Sequence, residues 1–510
     1  MTKSRRAVFI NAILFVSAIF FLYGGADAAT LTWTGASNAL WSDPGNWGGT
    51  APVAGDDLFF PGGASNLSNN NDFAAGTSFN SITFSGASGG YNLGGNSINL
   101  ANGITTSNAS GYNTVSLNVT LASSQTFNLS AELDLNGNLD LGPNTLTVNL
   151  IGPTCFFQGA ISGTGGIIKE GTAELVFSGP SANSYSGTTT VNAGNLRLNK
   201  PAGIISIAGP LVIGDGAGGA DADRVTLANS SQIGDVAVTI NSSGLLDLAT
   251  FIVTNETVGS VAGSGNIWLG SASLSAGVDN SSTAFSGVVS GTGILEKAGT
   301  GTLTLTGVNT ATGNLNIFGG SALVDGIWPG TASPQGATLG GAGTVGRIAT
   351  PNGTVSPGGV GPGILTVQTN GVDLSGGTAT FSARLNGAAA GSGYSQLDVA
   401  AGSVDLSGAT LSASLGFVPI AGQTFTIINK QGAGAVTGTF TGLPEGATLT
   451  IGGTQFSISY IGGDGNDVVL TAQGAGAAVA VPAMTAWGLI IFMILAGGGA
   501  AYYLRRREAA

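Results

Sequence analysis

Apolar residues fall on every second position in short stretches along most of the chain, as in Leu303-Thr304-Leu305-Thr306, Thr448-Leu449-Thr450-Ile451 and Phe456-Ser457-Ile458-Ser459-Tyr460. That period puts the apolar side chains on one face of a half-buried strand. Between Thr30 and Gln473 no comparable helical period occurs, so this region is predicted to be nearly all β. Gly, Ser, Thr and Asn fill the intervals, a composition that alone would suit a disordered tract. The alternation points instead to strands joined by tight turns.

Two apolar runs lie outside this pattern. At the N-terminus Lys3, Arg5 and Arg6 precede a run from Ala7 to Tyr23 and the small-x-small triplet Ala26-Asp27-Ala28. These are the parts of a secretory signal peptide over residues 1–28, with cleavage expected after Ala28. Near the C-terminus, residues 488–504 form an apolar run of 17 (504 − 488 + 1) followed at once by Arg505, Arg506 and Arg507. As a helix the run would reach about 25 Å, which predicts a transmembrane helix with the Arg cluster on the cytoplasmic side and all preceding residues facing outward.

The middle of the chain repeats itself. Residues 157–179 (FQGAISGTGGIIKEGTAELVFSG) align without a gap on residues 285–307 (FSGVVSGTGILEKAGTGTLTLTG) at an offset of 285 − 157 = 128. The alignment matches Ser162-Gly163-Thr164-Gly165 with Ser290-Gly291-Thr292-Gly293, and Lys169 with Lys297. A fainter echo starts at Val261 (VAGSGNIWLGSASLS). One such unit cannot bury its own apolar face, whereas stacked units can, which predicts a β-solenoid. Coils of about 20 to 25 residues stacked about 4.8 Å apart would make some 300 residues into a rod of about 60 to 70 Å. A series of β-sandwiches with repeated hairpins is the alternative. In the solenoid, Lys169 and Lys297 should lie a whole number of turns apart.

The unit resembles the autotransporter-associated β-strand repeat. Residues 163–198 carry Gly163-Thr164-Gly165, Lys169, Gly171, Leu175, Tyr185-Ser186-Gly187, Thr189 to Asn192 and Gly194; the second copy has Ala311-Thr312-Gly313 in place of Tyr-Ser-Gly. Residues 30–60, rich in Trp, resemble the start of such proteins, and residues 339–367 the stretch after their repeats. The resemblance implies a parallel β-helix passenger at the surface of a Gram-negative cell. Autotransporters end in a translocator barrel; this chain ends in the short apolar run and Arg cluster, so passage across the outer membrane is expected to depend on other export machinery.

The tail from Val481 resembles the IPTL-CTERM family of C-terminal sorting signals, in which a Pro-containing motif ending in Trp-Gly precedes an apolar helix and an Arg cluster. Val481, Pro482, Trp487, Gly488 and Arg505 to Arg507 supply the pattern, while Ala483 to Ala486 depart from it. The resemblance implies an exosortase-like sorting protease as partner, cleaving near Pro482. A plain membrane anchor is the alternative.

Composition narrows the chemistry. The chain has no His and a single Cys, Cys155, so Ser-His or Cys-His catalysis, His metal sites and an internal disulfide are excluded. Glycine accounts for 88 of the 510 residues. Between the two terminal segments the chain has 14 − 6 = 8 basic and 26 − 2 = 24 acidic residues, a balance that excludes nucleic acid as a partner. The basic residues, Lys169, Arg197, Lys200, Arg224, Lys297, Arg347, Arg384 and Lys430, are scattered. Asp215, Asp221 and Asp223 with Arg224 form the tightest acidic group, in a Gly-rich loop that reads as solvated rather than catalytic. Residues 462–470 match a calcium-binding nonapeptide once, in a context that equally suits a hairpin. Trp33, Trp41 and Trp47, near Asp43, Asp56 and Asp57, are expected to cap the first coil, with a sugar site as the alternative. Cys155 is expected in the core.

The predicted organisation is therefore a signal peptide (1–28), an N-terminal Trp-rich β cap (29–85), a β-solenoid (86–393) with repeats at 157–200 and 285–326, a C-terminal β cap (394–472), a Gly/Ala linker (473–480) and a sorting signal (481–510). No catalytic, cofactor or metal residue is assigned. The expected role is that of an exported structural or adhesive surface protein, held in the inner membrane by its C-terminal helix before processing. A surface polysaccharide or another cell is the expected partner. The alternative is a polysaccharide lyase or hydrolase, which would need several carboxylates with a basic partner in one groove.

Overall fold

A computed structural model describes residues 28–474 and 486–507. The alternating stretches form short parallel strands wound into a solenoid. One ladder runs almost the full length: 18 strands, from Thr30–Thr32 to Thr410–Leu415, each paired in parallel with the strand one coil away. At about 4.8 Å per strand its 17 steps rise about 80 Å. A second ladder of 11 strands extends from Ser68–Asn71 to Val289–Ser290. The third side has five strands from Thr77–Phe79 to Ile161–Ser162, and resumes with Asn255–Val258.

Side chains alternate in and out along most strands. Inward residues stack in files through the core, such as Val115, Leu135, Phe157, Phe177, Leu198 and Leu227 of the second ladder, all fully or almost fully buried. Coil length varies with what the corners carry. The register Ile82↔Ile104 gives 104 − 82 = 22 residues, and Thr338↔Thr354 gives 354 − 338 = 16, after the second ladder has ended.

Glycine sits at corners where successive coils touch. A Cβ on Gly287 would overlap the carbonyl oxygen of Gly265 one coil below; Gly307 stands in the same relation to Gly287, Gly326 to Gly307 and Gly343 to Gly326. The requirement here is close approach of backbone to backbone, not a left-handed conformation.

The two repeat copies build the same corner on different sides. Lys169 is fully buried, and its Nζ donates to the carbonyls of Glu170 (2.9 Å), Gly171 (2.7 Å) and, one coil on, Ala193 (3.0 Å). Lys297 donates to Ala298, to Gly299 (3.1 Å) and to Gly319 (3.4 Å) in the same pattern. Burial pulls both ammonium groups below the usual lysine range, Lys169 to about 8. Yet Lys169 belongs to the first ladder and Lys297 to the third. This corrects the expected whole number of turns. Six coils from Ile167 to Leu303 take 303 − 167 = 136 residues by register, 8 more than the 128 separating the copies. The second copy therefore starts one strand early, six turns less one face from the first. Ala311 is buried in the core as Tyr185 is.

Both ends of the stack are closed by other means. Trp33, Trp41 and Trp47 are buried around Phe60, with Trp33 and Trp47 in edge contact at 5.0 Å and Trp41 against Phe79 at 5.8 Å. Each indole N–H has an acceptor: Asn66 O, Asn69 Oδ1 and Trp41 O respectively. The rings serve as a cap and offer no open face to a sugar. At the other end Thr424–Lys430 pairs in parallel with Gln396–Val399 and antiparallel with Asp467–Gly474, followed by the antiparallel strands Thr454–Gly462 and Thr448–Ile451.

Ala486–Arg507 is an α-helix. Among the described residues no helix is long and apolar enough to cross a membrane. This corrects the expected transmembrane helix over 488–504: Ala496 to Ala501, with Gly497-Gly498-Gly499 at its centre, interrupts the large apolar side chains between Leu495 and Tyr502, and the Arg cluster belongs to the helix itself.

The glycine corners give a direct test. Gly287→Ala should lower stability by about 3 kcal/mol, because a methyl group must displace the backbone of the neighbouring coil. Gly361→Ala, which meets nothing within 4 Å, should stay within about 0.5 kcal/mol of the parent. Equal thermal or denaturant midpoints for the two variants would contradict the close-packed corner.

A candidate binding face on the second ladder

The outer surface of the second ladder is set by two files. One is Glu174, Asn195, Arg224, Leu245 and Asn266; the other is Val176, Arg197, Thr226, Asp247, Trp268 and Ser290. Two longer loops border this surface. Residues 214–222 lengthen the coil that separates Leu211 from Val238 to 238 − 211 = 27 residues. Residues 248–254 follow the strand Gly244–Asp247 on the opposite edge.

The second loop is held by Asp247, whose Oδ1 accepts from the backbone N–H groups of Ala249 (2.8 Å) and Thr250 (3.0 Å). Its Oδ2 lies 3.7 Å from Arg224 Nη1. The loop leans back so that Phe251 lies 5.8 Å from the guanidinium of Arg197, which also pairs with Glu174 at 3.1 Å. The first loop leans forward. Asp221, in the left-handed region at φ 61°, accepts from Asn266 Nδ2 at 2.8 Å. Asp tolerates this conformation better than most side chains.

Between these features lies a groove of about 260 Å³ lined by Asp221, Leu245, Asn266, Trp268, Val288 and Ser290. Trp268 is 43% exposed, whereas Trp33, Trp41, Trp47 and Trp328 are buried. The groove thus combines a flat aromatic platform with one carboxylate, one amide and one hydroxyl. Loops carried on a rigid scaffold are where binding sites concentrate.

The acidic loop residues singled out in the sequence separate here. Asp221 enters the groove. Asp223 is buried, accepts from Ser243 Oγ, and is pushed up by burial. Asp215 holds the Ala217 N–H at 2.7 Å, and Arg224 is paired with Asp247. Trp268 went unnoticed in the faint repeat beginning at Val261. Its signal is the alternation Asn266-Ile267-Trp268, in which a buried Ile267 forces the Trp outward.

The eight scattered cations are all engaged within the solenoid. Lys169 and Lys297 hold corners; Lys200 donates to Ser178 O (2.7 Å) and Lys430 to Gly432 O (2.6 Å) and Ala433 O (3.0 Å). Arg347 pairs with Asp373 at 3.5 Å and Arg384 donates to Ser356 Oγ at 2.9 Å. Residues 462–467 turn the hairpin between the last two long strands, and the Asp467 carboxylate accepts from Lys430 N at 2.9 Å. Among the described residues no cluster of three or more acidic, His or Cys side chains could hold a metal.

Of the remaining residues marked in the sequence, Ala26, Val481 and Pro482 lie outside the described residues, and Ala28 stands at their start. Trp487 and Gly488 fall in the first turn of the C-terminal helix and Arg505 to Arg507 in its last.

Comparison with known proteins agrees with this architecture. The Passenger-associated-transport-repeat family matches residues 167–198 and 295–321, the two repeat copies. The Adhesin BmaC autotransporter of Brucella suis is 32% identical over 193 residues, covering 36% of this chain and 5% of that protein. The chain thus carries passenger-type repeats and is similar, over part of its length, to a small portion of a much larger adhesin.

Cys155 supplies the test of this packing. Its Sγ accepts from Leu133 N at 3.2 Å inside the second ladder, and burial pushes the thiol up to about 12. At pH 8 iodoacetamide should leave it unmodified in the native protein and alkylate it after unfolding in denaturant, as read by intact mass. Rapid native alkylation would contradict the inward placement.

Proposed function

We propose that the chain works at the cell surface as an elongated structural and adhesive β-solenoid without catalysis. The carrying observation is the 18-strand ladder, which includes strands of two passenger-type repeats and presents long outer faces while its cations are held in internal contacts. The partial similarity to an autotransporter adhesin supports the same role. A polysaccharide lyase or hydrolase is less well supported, because the Trp268 groove is lined by a single carboxylate, Asp221, and Asp247 beside it is shielded and tied to Arg224.

Delivery, in this proposal, begins with signal-peptide removal after Ala28 and ends with recognition of Val481, Pro482, Trp487 and Gly488 by an exosortase-like protease, with Arg505 to Arg507 marking the tail. Other export machinery would carry the chain across the outer membrane. The support is the order of motif, helix and Arg cluster at the C-terminus. Pro482 would hold the preceding backbone extended, a form suited to a protease cleft.

Cell fractionation with mass spectrometry of both termini tests the whole scheme. The surface-exposed form should begin at Ala29 and end near Pro482, and Pro482→Ala or Trp487→Ala should leave the uncleaved chain in the cell envelope. Intact Arg505 to Arg507 on the surface form would contradict sorting. Confinement of the solenoid to the cytoplasm would contradict the surface role itself.

A further inference from the structure

We propose that the Trp268 groove is a binding subsite for a neutral pyranose unit of a surface polysaccharide. The proposal deepens, and rests on, the adhesive role above. Trp268 is the one Trp within residues 28–474 that shows an open ring, and such a ring in water is a platform for the apolar C–H face of a sugar. Beside it the Asn266 amide donates one hydrogen to Asp221 Oδ1 at 2.8 Å, which leaves its second N–H and the other carboxylate oxygen of Asp221 for a ligand. That pair supplies one donor and one acceptor, which suits two adjacent sugar hydroxyls. Ser290 adds a hydroxyl, while Leu245 and Val288 form the dry floor.

The surroundings decide the class of sugar. The solenoid has 24 acidic and 8 basic residues between its terminal segments, and its cations are committed to internal partners. A uronate or sulfated sugar would meet Asp221 without a compensating cation, so the ligand is uncharged. The groove, at about 260 Å³, is at the small end for ligand sites, which fits a single ring of a polymer that runs on along the ladder.

The site also has a structural cause. Asp221 reaches Asn266 only because residues 214–222 lengthen their coil and place it in the left-handed conformation. Without that loop the outer file would end in Leu245 and Asn266, with no carboxylate next to the ring.

Titration of the full-length protein with neutral hexasaccharides of glucose, mannose and N-acetylglucosamine, followed by tryptophan emission and calorimetry, tests the proposal. A hexasaccharide of galacturonic acid serves as the charged control. At least one neutral probe should shift the emission saturably and the charged probe should not. Trp268→Ala should raise Kd at least ten-fold and Asp221→Asn at least three-fold, with unchanged far-UV circular dichroism. Should Trp268→Ala lose its fold, Asp221→Asn and Asn266→Ala carry the same comparison. No neutral probe binding, binding of the charged probe alone, or native affinity in the variants would each overturn the subsite. If cells adhere through the wild-type protein while every neutral probe fails, the subsite falls and the surface role stands. A protein absent from the surface removes the role whatever the probes do.

Discussion

Successive coils meet at their corners at the spacing of one β-strand, and at that spacing there is no room between them for even a methyl group. The Gly265, Gly287, Gly307, Gly326 and Gly343 file is the plainest case, each glycine resting on the carbonyl of the one before. Parallel pairing needs the chain to return at about 4.8 Å every turn, so a corner that spreads would break the ladder on both sides of it. Stacking thus accounts for one part of the high glycine content and the positive-φ turns for another, and the apolar files of the core depend on both.

A corner also leaves carbonyl groups facing inward. The buried ammonium groups of Lys169 and Lys297 each gather three, two from their own coil and one from the next, so that the same side chain both satisfies the turn and joins neighbouring coils. Burying a charge is tolerable where several acceptors surround it. Because the corner is complete in itself, it works on whichever side of the solenoid it happens to fall. That is why the two copies keep one geometry while lying on different ladders.

Much of this was legible in the chain. The alternation in Leu303 to Thr306 and the glycine-punctuated repeats around Lys169 and Lys297 together imply stacked β-coils, since neither period nor composition suits helices. The phase of the second copy was not legible, because the loop at 214–222 lengthens one coil and nothing local shows how many residues a turn will take. Nor does a glycine at position 287 reveal that position 265 lies beneath it. Trp268 looked like one more strand residue until its neighbours across the ladder, and Asp221 some 45 residues away, were brought beside it. At the C-terminus, apolar composition suggested a membrane span, but glycines and the Arg cluster count toward the helix as much as the isoleucines do.

The face at Trp268 and the surface role both presuppose that the coils keep their register over many turns. Spin labels at Thr126 and Ala262, six steps apart on the outer side of the first ladder, measure this directly. Electron double resonance should give a single narrow distance near 29 Å, six times about 4.8 Å. A broad distribution, or a maximum beyond about 45 Å, would contradict the stacked solenoid.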